Sequence, residues 1–225
     1  MLHCISVENM RLSDAYTITN FVPSLKLMYR AAMGVFKAVK WSGSIAIVVG
    51  SGNNGGDGFA LACILQANGF SSTVFTVSQH LSDDSAYYAV KARDAGILIR
   101  NFESGCLEGY GIVVDCLLGT GFSGILREKY REAIEAINTS PYVVSVDINS
   151  GMNGDTGEAE LAVHSDLTVT IGYVKAGLVT EQAGKYIKRL VCADIGIVLL
   201  REEKIITAES CPPWLDRDVI HVREA

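Results

Sequence analysis

The chain has 225 residues, enough for one or two domains and a sizeable core. Hydrophobic residues make up 49% and charged residues 20%, which excludes global disorder, and a net charge of -6 leaves no broad basic footprint for nucleic acid. No apolar run approaches the roughly 20 residues that span a bilayer, and the opening residues lack the charged and apolar regions of a secretory signal. Residues 8–20 have mixed polarity and predict a surface helix. From Pro23 the pattern sharpens. Leu25, Met28, Ala32, Val35 and Val39 recur at steps of three and four, the apolar face of a helix, and Pro23 suits its start.

The period then changes. Residues 44–50 (SIAIVVG) form a β-branched run of the kind a buried parallel strand needs. A glycine-rich stretch and a helix ending near Gly69 follow. Strands are predicted at 72–77 and 96–99, at 110–121 with a glycine-rich exit, at 142–151 with a polar exit, and at 167–172 and 189–197, with helices at 82–95 and 128–138. Strand alternating with helix gives a parallel sheet covered on both faces. In such sheets ligands sit beyond the carboxyl ends of the strands. Residues 1–200 read as one domain, and the more polar 201–225 as a peripheral extension. The six cysteines, Cys4, Cys63, Cys106, Cys116, Cys192 and Cys211, form no C-x-x-C pair. They read as reduced and mostly buried, which points to a cytoplasmic compartment.

Three strand exits carry the polar residues. The first, 50–58 (GSGNNGGDG), matches G-x-G-x-x-G through Gly50, Gly52 and Gly55, between a strand and a helix. Such a turn offers backbone N–H groups and a helix N-terminus to phosphate. The second strand nevertheless ends Thr76-Val77-Ser78-Gln79, without the acid that holds a ribose in NAD-dependent dehydrogenases, so that class is disfavoured, as is a methyltransferase. A carboxylate beside a pyrophosphate would repel it, so Asp57 is expected to cap the helix or meet a hydroxyl. The second exit runs from Asp115 to Gly124, and the third is Asp147-Ile148-Asn149-Ser150-Gly151. Both open with an acid at the end of an apolar strand. Their carboxylate, amide and hydroxyl oxygens suit a hard cation rather than zinc. His3, His80, His164 and His221 are scattered, and no G-x-S-x-G elbow is present.

Taken together, VVGSGNNGGDGFALA, VVDCLLGTGFSG and VVSVDINSGMNGDTG closely resemble the N-terminal YjeF-type domain of the NAD(P)H-hydrate epimerase family. SVENMRLSDAYTI, VPSLKLMYRAA and TVTIGYVKAGL extend the resemblance over residues 5–197. It implies a Rossmann-like three-layer αβα sandwich with a mostly parallel central sheet. It implies epimerisation of the R and S forms of NADHX and NADPHX, nicotinamide cofactors hydrated at C6 of the ring. It further implies one potassium ion per subunit, on Asn54, Asp115 and Ser150. Substrate contacts fall on Asn53, Asn54, Gly55, Gly56 and Asp57, on Gly119, Thr120, Gly121, Phe122, Ser123, Gly124 and Ile125, and on Asp147.

Inversion at a carbon bearing a hydroxyl and a ring nitrogen requires proton transfer. Asp147 is the first candidate for general acid and base, and Lys175 the second. The resemblance implies a homodimer and a separate dehydratase that consumes the product, since 225 residues leave no room for a fused one. Two departures stand out: Asn149 replaces the proline of the family's D-x-P-S-G, and Tyr29 replaces a glutamate in the second helix. The same domain type also serves as a non-catalytic dimerisation scaffold. The joint presence of Asn54, Asp115, Asp147 and Ser150 favours the enzyme.

Overall fold

The protein is described by a computed structural model that covers residues 2–122, 124–203, 205–206 and 219–221. It contains strands β1 (Leu2–Ile5), β2 (Ile45–Val49), β3 (Ser72–Thr76), β4 (Leu98–Asn101), β5 (Ile112–Cys116), β6 (Val143–Val146), β7 (Leu167–Ile171), β8 (Val174–Lys175), β9 (Leu190–Asp194), β10 (Ile205–Ile206) and β11 (Val219–His221). The helices are α1 (Val7–Asn20), α2 (Ser24–Ala38), α3 (Asn53–Ala67), α4 (Asp83–Asp94) and α5 (Glu128–Ile137).

Eight strands form one sheet in the order β11-β9-β7-β6-β5-β2-β3-β4. Every pairing in it is parallel, as the continuous apolar strands require. The strand faces alternate. Ile45, Ile47 and Val49 of β2 pack with α2, α3 and α4, while Ala46 and Val48 pack with Ala133, Ile134 and Ile137 of α5. That is the expected three-layer sandwich. β1 stands apart in a small sheet, antiparallel to β10 and parallel to β8. Most of the expected extension, 201–225, lies outside the described residues; the parts within them include β10 and β11.

The chain runs β2, β3, β4 toward one edge, then returns to place β5 on the other side of β2. Strand order reverses there, and the two neighbouring strands send their exits in different directions. A crevice opens at such a reversal, and it is where open α/β sheets bind ligands. The exits of β2 and β5 are the glycine-rich loops of the sequence.

α1 is unusual. Its buried residues are Asn9, Met10, Ser13 and Thr17, mostly polar. They are satisfied by an extended segment after β9: Asn9 donates its amide to the Arg201 carbonyl (2.8 Å), Ser13 Oγ accepts from Leu200 N–H (3.0 Å), and Thr17 Oγ1 accepts from Val198 N–H (2.9 Å). Ser6 caps the helix, and the Glu203 carboxylate accepts from both Ser6 N–H and Ser6 Oγ.

Candidate active site

The first two exits touch directly. A Cβ at Gly50 would stand 1.9 Å from the Leu117 carbonyl oxygen, so only glycine lets the β2 loop cross the β5 loop. α3 then begins at Asn53. Its N-cap is Gly52 and no side chain caps it, so the helix end opens its N–H groups toward the crevice. Asn53 Oδ1 instead accepts from Ser82 Oγ at 2.7 Å, which ties the loop to α4.

Beneath the crevice lies a buried polar knot. Asp115 is fully buried. Its Oδ1 accepts from Ser150 Oγ and Leu117 N–H (3.2 Å), and its Oδ2 from Ser145 Oγ and Ser150 N–H, both at 2.9 Å. Burial raises its carboxyl above the usual carboxylate range; the bonds from Ser150, Leu117 and Ser145 oppose that rise. Ser150 Oγ in turn accepts from Leu118 N–H at 2.9 Å. Asn54 donates to the Leu118 carbonyl at 2.9 Å, while its own Oδ1 is buried without a partner.

Asp147 follows β6 in a left-handed backbone conformation (φ 71°), the only non-glycine residue with positive φ among those described. For an L-residue that conformation is strained by about 1–3 kcal/mol, and such strain persists where surroundings over-determine it. Here Asp147 N–H donates to the Val169 carbonyl at 2.8 Å, and its carboxylate faces the ammonium of Lys175. Lys175 is 1% exposed. Its Nζ also donates to the Ile171 carbonyl (2.7 Å) and Thr170 Oγ1 (3.2 Å). Gly172 (φ +74) turns the chain between β7 and β8 and so brings Lys175 back over the end of β7. Asn149 is fully buried and does not leave the loop slack. Its amide donates to the Val163 carbonyl (2.8 Å), Ser165 Oγ (3.0 Å) and the Tyr186 carbonyl (3.2 Å), and its Oδ1 accepts from Thr168 (2.6 Å).

These loops border a cavity of about 680 Å³. Asn53, Asn54 and Asp57 line it from α3; Gly119, Thr120, Gly121, Phe122 and Ile125 line it from the second exit; Asp147 and Lys175 close the third side. Gly55 and Gly56 lie outside the wall: Gly55 packs on the Gly50 carbonyl and Gly56 against Met28. Gly124 is also outside it, Asp115 and Ser150 lie behind it, and Ser123 falls outside the described residues. Asp57 does not cap α3, contrary to the expectation from sequence, because it stands a full turn inside the helix. Its carboxyl takes no hydrogen bond from any described residue. Burial, then Asp147, Asp14 and Asp84, push it well above the usual range, against Lys175.

Sequence reasoning missed a whole wall. Met10, Arg11, Asp14 and Ile18 of α1 face the cavity, as do Arg127 and Tyr130 at the start of α5. The spacing 10, 14, 18 is a helix face, but its polar neighbours hid it. Burial raises Asp14 as well, followed by Asp147, with Lys175 opposing and Asp84 adding.

Comparison with known proteins matches the family described as YjeF-related protein N-terminus over residues 24–177. The chain is 34% identical to the NAD(P)H-hydrate epimerase of Limosilactobacillus fermentum, over 84% of this chain and 95% of that protein. It is 35% identical to that of Rhodopirellula baltica, over 87% and 85%. It is 36% identical to the bifunctional NAD(P)H-hydrate repair enzyme Nnr of Coxiella burnetii, over 84% of this chain but 41% of that longer protein. Among solved structures, yeast YNL200c shares the fold, with a TM-score of 0.67 at 20% identity over 78% of this chain and 83% of that one.

Proposed function

Since this chain belongs to the YjeF-related protein N-terminus family, we propose that its cavity takes hydrated NADH and NADPH and interconverts their R and S forms. The protein is an isomerase of nicotinamide cofactor repair. The observation that carries the reading is the Asp147–Lys175 pair, a strained carboxylate on a buried ammonium at the edge of a cavity of ligand size. The open N-terminus of α3 receives a phosphate, and the second exit holds the rest of the dinucleotide. A scaffold would leave the strained ion pair and the orphaned Asn54 oxygen without a purpose.

The C6 carbon bears a hydroxyl and the ring nitrogen. Asp147 takes the hydroxyl proton as the C6–N1 bond breaks, and N1 keeps the electron pair and gains a proton, leaving an aldehyde and an amine; that proton leaves N1 when the ring closes. The aldehyde turns, and nitrogen attacks its other face. Asp147 then returns the proton to oxygen. Lys175 holds the carboxylate in place for the transfer. The test is conversion of pure R-NADHX to the S form above the spontaneous rate, lost in Asp147→Ala.

The donor set fits a hard monovalent cation. The partnerless buried Asn54 oxygen is the group a cation would satisfy, and Asp115 and Ser150 bring further oxygens to the same loops. These three residues would hold potassium, and the ion would supply positive charge that organises the loops. The protein works as a homodimer in the cytoplasm, where its described cysteines stay free thiols, and hands its product to a dehydratase. No described helix is long and apolar enough to cross a membrane.

A further inference from the structure

Epimerisation through ring opening moves two protons, one at oxygen and one at nitrogen. When the C6–N1 bond breaks, the electron pair goes to N1, and N1 must gain a proton while the hydroxyl loses one. The Asp147–Lys175 pair serves the hydroxyl. A second group serves the nitrogen, and a carboxyl on another wall of the cavity can give and retake that proton.

We propose that Asp14 is this second catalytic acid–base residue, acting on the ring nitrogen from the α1 wall of the cavity. The inference rests on the epimerase reading above. Asp14 faces the cavity with Met10 and Ile18, and no described residue donates a hydrogen bond to its carboxyl. Its surroundings favour its protonated form more than water does. It is half-buried and senses Asp147 and Asp84, with Asp57 beside them in the same cavity; Lys175 opposes them, and Arg11 stands on the same helix face.

The face of α1 about 100° round from Asp14 supports the assignment. Asn9, Ser13 and Thr17 lie one helical turn apart and bond the chain at 198–201. An apolar stripe would let the helix roll about its axis. Three directional bonds do not, and they fix residues 10, 14 and 18 toward the cavity. Asp57 is less suited to exchange. It lines the cavity from α3, and burial and the neighbouring carboxylates raise its carboxyl further above the usual range than that of Asp14.

The proton count closes. Asp147 takes the hydroxyl proton while Asp14 gives its proton to N1, and the aldehyde forms. On closure N1 returns its proton to Asp14, and Asp147 returns its proton to oxygen. Both residues end as they began, and no oxidant or reductant is needed.

The test compares pH–rate profiles for R-NADHX conversion in wild type, Asp14→Asn, Asp14→Glu and Asp147→Asn, with melting curves for each. Asp14→Asn should lower kcat about 100-fold or more, change KM little, and abolish the fall in rate at high pH that marks loss of the acid's proton. Asp14→Glu should recover part of kcat and keep that limb. If Asp14→Asn retains kcat and the alkaline limb, or lowers only the melting temperature, the proposal is overturned. If Asp147→Asn retains full kcat, the role given to Asp147 fails instead, and the Asp14 variants still decide their own question.

Discussion

Ser150 holds Asp115 twice, giving its amide to one carboxylate oxygen and its hydroxyl to the other. The same hydroxyl accepts from Leu118 N–H, so one residue of the third exit fastens the second exit to the end of β5. Ser150→Ala removes a bond to a buried carboxylate and orphans an amide. It should destabilise the fold by about 1–3 kcal/mol, read as a fall of roughly 2–4 °C in melting temperature per kcal/mol. A shift below half a degree would mean that water replaces the hydroxyl.

Removing Asp147 sets two effects against each other. Asp147→Gly relieves backbone strain of about 1–3 kcal/mol, but it strands the ammonium of Lys175, and breaking a buried pair costs about 3–5 kcal/mol. The second effect wins, so the variant should be inactive and less stable. Adding Lys175→Met should restore most of the stability and none of the activity. Denaturant unfolding of the single and double variants measures both terms.

Asn54 offers a test of the cation site that does not depend on turnover. Wild type should melt at a higher temperature in potassium chloride than in lithium chloride of equal strength, because an ion bound only by the folded state stabilises it. Asn54→Ala and Asp115→Ala should each abolish that difference and the potassium activation of the enzyme. Potassium activation retained in Asp115→Ala would remove Asp115 from the site.

The raised carboxyl of Asp57 predicts a pH effect on stability. A folded pKa above the unfolded value of 3.8 means that the native state binds its proton more tightly. The contribution is therefore full below about pH 3.8 and is lost as pH rises toward the folded value. Asp57→Asn mimics the neutral form. Its stability relative to wild type should grow between pH 4 and 7, measured by urea unfolding at each pH. A difference independent of pH would mean that Asp57 is normal.

The polar ladder on α1 predicts local loosening. Thr17→Val leaves Val198 N–H without its acceptor and should cost about 1–3 kcal/mol. Hydrogen exchange should quicken in α1 and at 198–201 before it does in the central sheet.

The central strands were legible because buried parallel strands are written as short β-branched runs, and the acids at 115 and 147 ended two of them. The cavity was legible on three sides for the same reason. The fourth was not. α1 buries amide and hydroxyl groups, so no apolar period marks which of its faces is turned inward, and Asp14 looked like one more surface charge. The partners that explain the ladder lie more than 180 residues away, where pattern reading does not reach. Strands β1 and β8 were also missed: both are short, and each finds its partner outside the main sheet. Lys175 was visible as a residue, but not the glycine turn that brings it onto Asp147. Asn149 looked like a lost proline and is instead the best-bonded side chain of its loop.

Ser6 and Glu203 are 197 residues apart, and they meet at the cap of α1. On a ribosome adding about 5–20 residues per second, the helix leaves the exit tunnel roughly 10–40 s before the segment that anchors it. The Rossmann-like core can assemble in that interval, since its strands emerge in order. The α1 wall cannot be fastened until residues 198–203 have emerged, so nascent chains with strands β2 to β9 already made still lack a closed catalytic chamber. Competence waits on a segment, 198–203, that lies outside the cavity wall.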